Sequence, residues 1–303
     1  MPFARSFKRT ALVLVALAGV SGALVLASCK TLVAPLAELA PTPPPVAPDL
    51  ELYARVLERF VDAEGNVDYA RLKVDATDLE RFYAQIAAVG PDSHAELFPE
   101  RHDRLANWIN AYNAATLVSV ARLYPLESVA DLGPPWYVFF LRDTAGFFYF
   151  RQQVFGGERY DLYTLENEVI RERFGDARIH FALNCASAGC PRLPREPFTA
   201  ARLDEQLERE TRRFFAEPRN LSIDHEGRTV SLSQILEWYA QDYLDDLAEQ
   251  GVEAPTLLEY AARFAPDELA AQLRGPAADY ELRFVPYDWR LNDIGLQRAS
   301  QAP

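Results

Sequence analysis

Apolar positions recur at three- and four-residue steps along several stretches of the chain, the spacing that lines them up on one helix face. The strongest is 101–123, where Leu105, Trp108, Ile109, Tyr112, Thr116 and Val120 form the stripe and Pro125 stops it. Residues 50–60 and 77–88 share the spacing. Thr164 reads as opening a helix to about Phe174, Thr199 as capping one over 200–215, and Ser231 or Ser233 as capping one over 234–247. Two short helices are expected over 255–273. Between these lie aromatic, β-rich runs: "WYVFFL" (136–141), "FFYF" (147–150) and "QQVF" (152–155), with turns at Asp143 to Gly146 and at Gly156-Gly157. "RIHFALN" (178–184) reads as a short apolar strand. "LSID" and "TVSLS" read as strands flanking a turn at His225–Gly227, and "YELRFVPYDWRLN" (280–292) as a strand-like tail. Helices and hairpins interleave with no repeating βαβ order. The expected fold class is therefore α+β, mixed helices and antiparallel hairpins around one core.

The amino terminus changes the picture of what is folded. Arg5, Lys8 and Arg9 precede an uncharged apolar run, "ALVLVALAGVSGALVLA" (11–27), the layout of an export signal. The run ends in "LASC" (26–29), which resembles the bacterial lipobox and implies cleavage before Cys29 and acylation of that residue. Lys30 follows, not Asp, so the usual inner-membrane retention signal is absent and an outer-membrane lipoprotein facing the periplasm is expected. "TLVAPLAELAPTPPPVAPD" (31–49) is rich in Pro and Ala and reads as a semi-extended tether. The organisation expected is a signal peptide over 1–28, a tether over 29–49, one domain over 50–292 with order starting near Leu50, and a tail over 293–303.

Charge narrows the partners. The whole chain carries 31 basic and 44 acidic residues, a net charge of −13. Loss of the signal removes three bases and no acid, leaving a mature charge of −16. Such a surface repels phosphate backbones, so no nucleic-acid partner is expected. It also disfavours adhesion of the protein face to anionic headgroups, so the bilayer partner is reached through the acyl chains on Cys29.

The chemistry-bearing residues concentrate in "HFALNCASAGCPRLP" (180–194). An exported chain lives where disulfides persist, and four small or flexible residues let Cys185 and Cys190 approach each other. A structural staple is one reading. A thiol nucleophile with His180 as base is another. On a straight strand His180 would lie roughly 16 Å from Cys185 and point to the other face, so Cys190 is the better partner. His94, His102 and His225 stand in polar contexts that read as surface. A zinc site has candidate ligands in the two thiols and His180, but the five-residue step and the lack of a second ligand pair disfavour it. No metal and no cofactor are expected.

Two further clusters accompany this stretch. In "NWINAYN" (107–113), Asn113 flanks the apolar stripe and Asn110 lies further round. Each reads as a structural amide tying the helix to a loop, or as an amide that orients a base or binds an oxyanion. Glu166 and Asn167 fall in the first turn of a helix, where an acid is favoured by the dipole; Glu166 is a capping acid or a catalytic carboxylate. Asp288 and Asn292 surround a Trp in "PYDWRLN" (286–292), an aromatic plug or part of a site lining.

Several of these stretches, "NWINAYNAATL", "YDLYTLENEVIR", "IHFALNCASAGCPRLP", "RNLSID" and "PYDWRLN", together resemble the family catalogued as domain of unknown function 547, over about residues 100–292. The family's activity is unassigned. The resemblance carries over Asn110, Asn113, Glu166, Asn167, His180, Cys185, Cys190 and Pro191 as candidate site residues. It also implies a thiol role, because the family occurs in intracellular settings too, where a disulfide would rarely form. Ser usually precedes the second cysteine; here Gly189 does, which removes a hydroxyl beside Cys190. The expected function is an envelope-anchored thiol-type hydrolase or acyl transferase acting on envelope peptide or amide bonds. Cys190 or Cys185 would be nucleophile and His180 base, with Asn110, Asn113 and Glu166 in support. The alternative is a non-catalytic envelope binding or structural module with a Cys185–Cys190 disulfide. A thiol redox role fits less well, since the spacing exceeds the usual C-x-x-C.

Overall fold

A computed structural model describes residues 30–40, 45–135 and 144–300, with side chains to Gln297. The signal peptide, Cys29 and the strand expected at 136–141 lie outside the described residues.

The helical stretches form where the apolar spacing places them. α1 (Leu50–Phe60) starts at Asp49, whose side chain accepts from the Glu51 amide, and buries Leu52, Tyr53, Val56, Leu57 and Phe60. α2 (Tyr69–Val74) and α3 (Thr77–Ala88) follow. α4 (Arg101–Leu123) opens on a reciprocal cap between Glu100 and Asp103 and ends at Tyr124. It was legible as amphipathic, yet it is buried almost all round from Leu105 to Ala121. It is the central helix, packed by α2, α3 and the segment 165–171.

The first small sheet is β1 (Thr31–Val33), β2 (Arg151–Phe155) and β3 (Glu158–Asp161). β1 joins β2 in parallel, with Thr31 opposite Arg151 and Val33 opposite Gln153; β2 and β3 form a hairpin. Order therefore begins upstream of Leu50, inside the expected tether, because three residues find an open edge on β2. The second sheet is β4 (Leu221–Asp224), β5 (Thr229–Ser233) and β6 (Glu281–Val285), the first pair antiparallel and the second parallel. The class is α+β, though each sheet adds a parallel strand to its hairpin.

Other expectations change locally. Residues 147–150 do not continue a sheet: α5 (Ala145–Phe148) coils there, closed by Tyr149 amide donation to the Ala145 carbonyl. Asp161, not Thr164, opens the next helix, accepting from the Thr164 amide. That helix, α6, runs through Leu162–Thr164, a π-helical stretch Leu165–Arg171 and Glu172–Phe174. The strand expected at 178–184 is a tight turn of 3₁₀ helix, Ala177–Phe181, capped by Asp176. A short run of buried apolar residues fits either conformation, and here the Asp176 carboxylate and carbonyl take the Arg178 and Ile179 amides, so no strand pairing is needed. Thr199 makes no side-chain cap; a 3₁₀ turn, Ala200–Arg202, leads into α7 (Leu203–Ala216). Ser233 caps α8 (Gln234–Trp238), and Tyr239 separates it from α9 (Ala240–Glu249). α10 (Leu257–Phe264), α11 (Asp267–Arg274) and α12 (Ile294–Ser300) complete the chain, and the strand-like tail is regular only over β6.

Among the described residues two apolar cores result. One gathers α1 to α4, α6 and the start of α7 around Trp108 and Tyr112. The other gathers Phe181, Phe214, Phe215, Tyr243, Tyr260 and Phe264 with the second sheet. The site lies along their seam.

Candidate functional site

A cleft of about 790 Å³ opens where the two cores meet. Tyr112, Glu166, Leu183, Phe148 and Trp289 line it from the first side, and Ile235, Trp238, Tyr239 and Tyr287 from the second. His180, Cys185, Cys190 and Pro191 also line it, as do Asn167 and Arg171. Trp238 and Trp289 are stacked with ring centroids 5.8 Å apart, and Tyr287 sits 4.5 Å from Trp289. The wall is aromatic, with its polar groups gathered at one end.

The polar end is held by α6. An i→i+5 stretch inserts an extra residue into the helix and re-aims its side chains, a feature frequent at functional sites. Glu166 there accepts two phenol hydroxyls, Tyr239 at 2.5 Å and Tyr112 at 3.1 Å. Burial and the Glu166 charge raise the Tyr112 and Tyr239 hydroxyls above the ordinary phenol range, so both stay donors. One turn on, Arg171 forks onto Asp242 with both contacts at 2.9 Å and donates to Asn167. Asp242 also takes His180 Nε2 at 2.7 Å. Burial would raise the Asp242 carboxyl, but His180 and Arg171 outweigh it and hold the group well below its ordinary range.

His180 lies on the Tyr239 ring, with centroids 3.9 Å apart. Burial pushes its imidazole below the usual value, only partly offset by Asp242, so the ring is neutral at neutral pH. A neutral ring facing a carboxylate carries its proton on Nε2. Nδ1 is then an acceptor, and it is buried without a partner.

Cys185 and Cys190 are joined as a disulfide, with Cα atoms 6.2 Å apart. Cys190 is buried and Cys185 is half-buried on the cleft side. The Tyr287 hydroxyl lies 2.9 Å from the Cys185 sulfur and 3.1 Å from that of Cys190, and the Cys185 amide donates to the latter at 2.9 Å. Neither sulfur hydrogen-bonds to His180. The strand that separated His180 from Cys185 in the sequence reading is absent, so the preference it gave to Cys190 loses its basis.

The asparagines serve the loop, not the cleft. Asn110 clamps residue 198 by donating to the Phe198 carbonyl at 2.7 Å and accepting its amide at 2.9 Å. Asn113 clamps the next loop, to the Ala182 carbonyl and the Asn184 amide. Asn184 in turn holds Ala186, at a positive φ of 63°, and the Pro191 carbonyl. Asn292 takes the Tyr69 hydroxyl at 2.9 Å, and Asp288 pairs with Arg290, so neither reaches the cleft. Gly189 packs so closely that an added Cβ would lie 2.9 Å from the Asp288 nitrogen and 3.0 Å from the Tyr287 ring. A serine there would crowd Tyr287, the hydrogen-bond partner of both sulfurs.

Of the sequence candidates, the structure brings Glu166, Asn167, His180, Cys185, Cys190 and Pro191 into one cleft and sets Asn110 and Asn113 behind it. Sequence reading missed Asp242, one of several acids on an acidic helix 62 residues from His180. It read Tyr112 only as part of the apolar stripe and gave Tyr239 no role, while "PYDWRLN", left open as an aromatic plug or a site lining, does line the cleft through Tyr287 and Trp289. Among the described residues no three His, Cys, Asp or Glu side chains form a metal-binding group.

Residues 97–215 match the family described as "Protein of unknown function, DUF547". The DUF547 match carries α4, α6, His180 and both cysteines. Asp242 and the wall residues Trp238, Tyr239, Tyr287 and Trp289 lie beyond it, as do the "RNLSID" and "PYDWRLN" stretches. The DUF547 family has no assigned activity. No curated protein and no solved structure matches the chain.

Proposed function

We propose that this is a lipid-anchored protein of the cell envelope whose aromatic cleft binds a ligand, with Cys185–Cys190 as a structural staple in the cleft wall. The export pattern of 1–28, the "LASC" site and Lys30 support anchoring through Cys29 in an outer membrane, facing the periplasm. One observation carries the binding-module reading over a thiol enzyme. Each sulfur is bonded to the other and contacted by Tyr287, while His180, the one imidazole lining the cleft among the described residues, is turned onto Asp242. A nucleophile must lie within hydrogen-bond reach of its base. The mass of the mature protein without reductant checks this: two hydrogens fewer than the free dithiol is expected, and no label from a thiol-reactive maleimide. Labelling of native, unreduced protein would sink it.

A second reading, the thiol-type hydrolase or acyl transferase acting on envelope peptide or amide bonds, keeps a specific support. The Tyr287 hydroxyl and the Cys185 amide both reach the Cys190 sulfur, and such donors would stabilise a thiolate there once the disulfide is reduced. Under this reading, reductant switches on labelling by an electrophilic peptide probe, and Cys190→Ala abolishes it while Tyr287→Phe weakens it. Equal labelling of Cys190→Ala and the parent removes it.

A further inference from the structure

Lys30, the residue next to the acylation site, is not free. Its ammonium sits 2.6 Å from the Asp161 carboxylate, with side-chain exposures of 12% and 3%, and 3.7 Å above the ring of Tyr149 at the cleft. The Thr31 amide donates to the Phe150 carbonyl at 2.7 Å, and β1 then pairs with β2. The Val33 carbonyl takes the Tyr83 hydroxyl, and Arg122 donates to the Ala34 carbonyl at 2.7 Å. A flexible tether of about 20 residues would hold the domain roughly 25 Å from its lipid. Here the slack is a single Cα–Cα step of about 3.8 Å.

A second observation concerns where apolar side chains are exposed. Among the described residues, six large hydrophobics stand exposed. Two of them, Leu32 and Leu36, lie within seven residues of Cys29, and two more, Tyr163 and Trp238, line the cleft. Lys30 ties the anchor end to the cleft: its ammonium lies over Tyr149, which lines the cleft, and pairs with Asp161, two residues before Tyr163. Amphipathic aromatic rings beside an anchor are what a membrane–water interface selects.

We infer that the docked anchor presents the cleft mouth to the bilayer, and that the cleft takes the apolar chain of a membrane amphiphile. This rests on the acylation of Cys29 proposed above. The mature charge of −16 and the Glu166 carboxylate at the polar end argue for a head bearing no net negative charge. Arg171 and Asp242, the neighbouring charges, are paired with each other.

The full-length protein, matured with its lipid, tests this in vesicles of phosphatidylcholine whose acyl chains are brominated. Bromines quench tryptophans that they approach closely. Quenching is expected in the parent, to be kept in part by Trp238→Phe and by Trp289→Phe, and mostly lost in the double variant. A twelve-residue Gly-Ser insertion between Cys29 and Lys30 should still float with the vesicles yet lose the quenching. Flotation without quenching, or quenching equal in parent and double variant, overturns the inference and leaves the anchor standing. Quenching that Trp238→Phe alone abolishes shows surface contact without chain entry and overturns the cleft occupant, with a peptide as the next candidate. Failure of the parent to float overturns the anchor itself, and this inference with it.

Discussion

His180 and Asp242 give the cleft its own response to acid. The imidazole's usual value is 6.5, and in the folded protein burial holds it lower. At pH above 6.5 the ring is neutral in both states and contributes nothing to the pH dependence. Below that, the unfolded chain takes up the proton first, so stability falls as pH drops from 6.5 toward the folded value, by up to about 1.4 kcal/mol per pH unit. Asp242 is depressed below its usual 3.8, so its contribution is present above that value and fades further down. Urea midpoints for the parent should fall in two stages on acidification, and His180→Gln should remove the upper stage. An unchanged profile between pH 6.5 and 4.5 in that variant would assign the acid response elsewhere. Asn113 makes a sharper point about buried amides. Asn113→Ala leaves the Ala182 carbonyl and the Asn184 amide unpaired, at an expected cost of about 2–4 kcal/mol in urea unfolding. Asn113→Ala should not abolish ligand binding in the folded protein, because its side chain does not line the cleft.

At the scale of elements, the long amphipathic helices could be read from spacing alone, because 3.6-residue periodicity records a buried face directly. The 180–190 loop could not. "RIHFALN" has the composition of a strand, but a strand exists only if another edge pairs with it, and that information lies in residues far along the chain. The same limit hid β1, which folds because β2 offers an edge about 120 residues later. It also hid Asp242, since nothing local marks which acid of "EWYAQDYLDDL" meets His180. The cysteine motif was legible as a cluster, though its chemistry was not, because a disulfide and a dyad need the same residues at different distances. The staple's own worth follows from its short loop. Closing a ring of about six residues restricts the unfolded chain by about 2 kcal/mol at 25 °C. Cys185→Ala/Cys190→Ala should lower the unfolding free energy by about that amount, and reductant should do the same to the parent with no effect on the double variant. A loss several times larger would mean that the disulfide shapes the folded loop as well.

At the scale of the whole molecule, the described residues form two apolar cores tied by elements that belong to both. α7 places Leu203 and Leu207 in the first and Phe214 and Phe215 in the second. The turn 177–181 does likewise, with Ile179 in the first and Ala177 and Phe181 in the second. A rigid element with buried side chains in two cores cannot leave one without uncovering the other. Phe215 is fully buried, 5.4 Å from the rings of Phe181 and Phe214 and 6.2 Å from Tyr260. Truncating it should cost about 3–5 kcal/mol. If the cores unfold together, Phe215→Ala lowers hydrogen-exchange protection in α10 and in the distant α4 by the same free energy. If protection falls in α10 while α4 keeps its own, the cores open separately and the cleft lies on a hinge. Coupled cores imply instead a cleft whose two walls are held in register by α7, so a ligand bridging Tyr112 and Trp238 would raise protection in both cores at once. Comparing α4 and α10 in Phe215→Ala, with and without an occupant of the cleft, separates the two arrangements in a single exchange experiment.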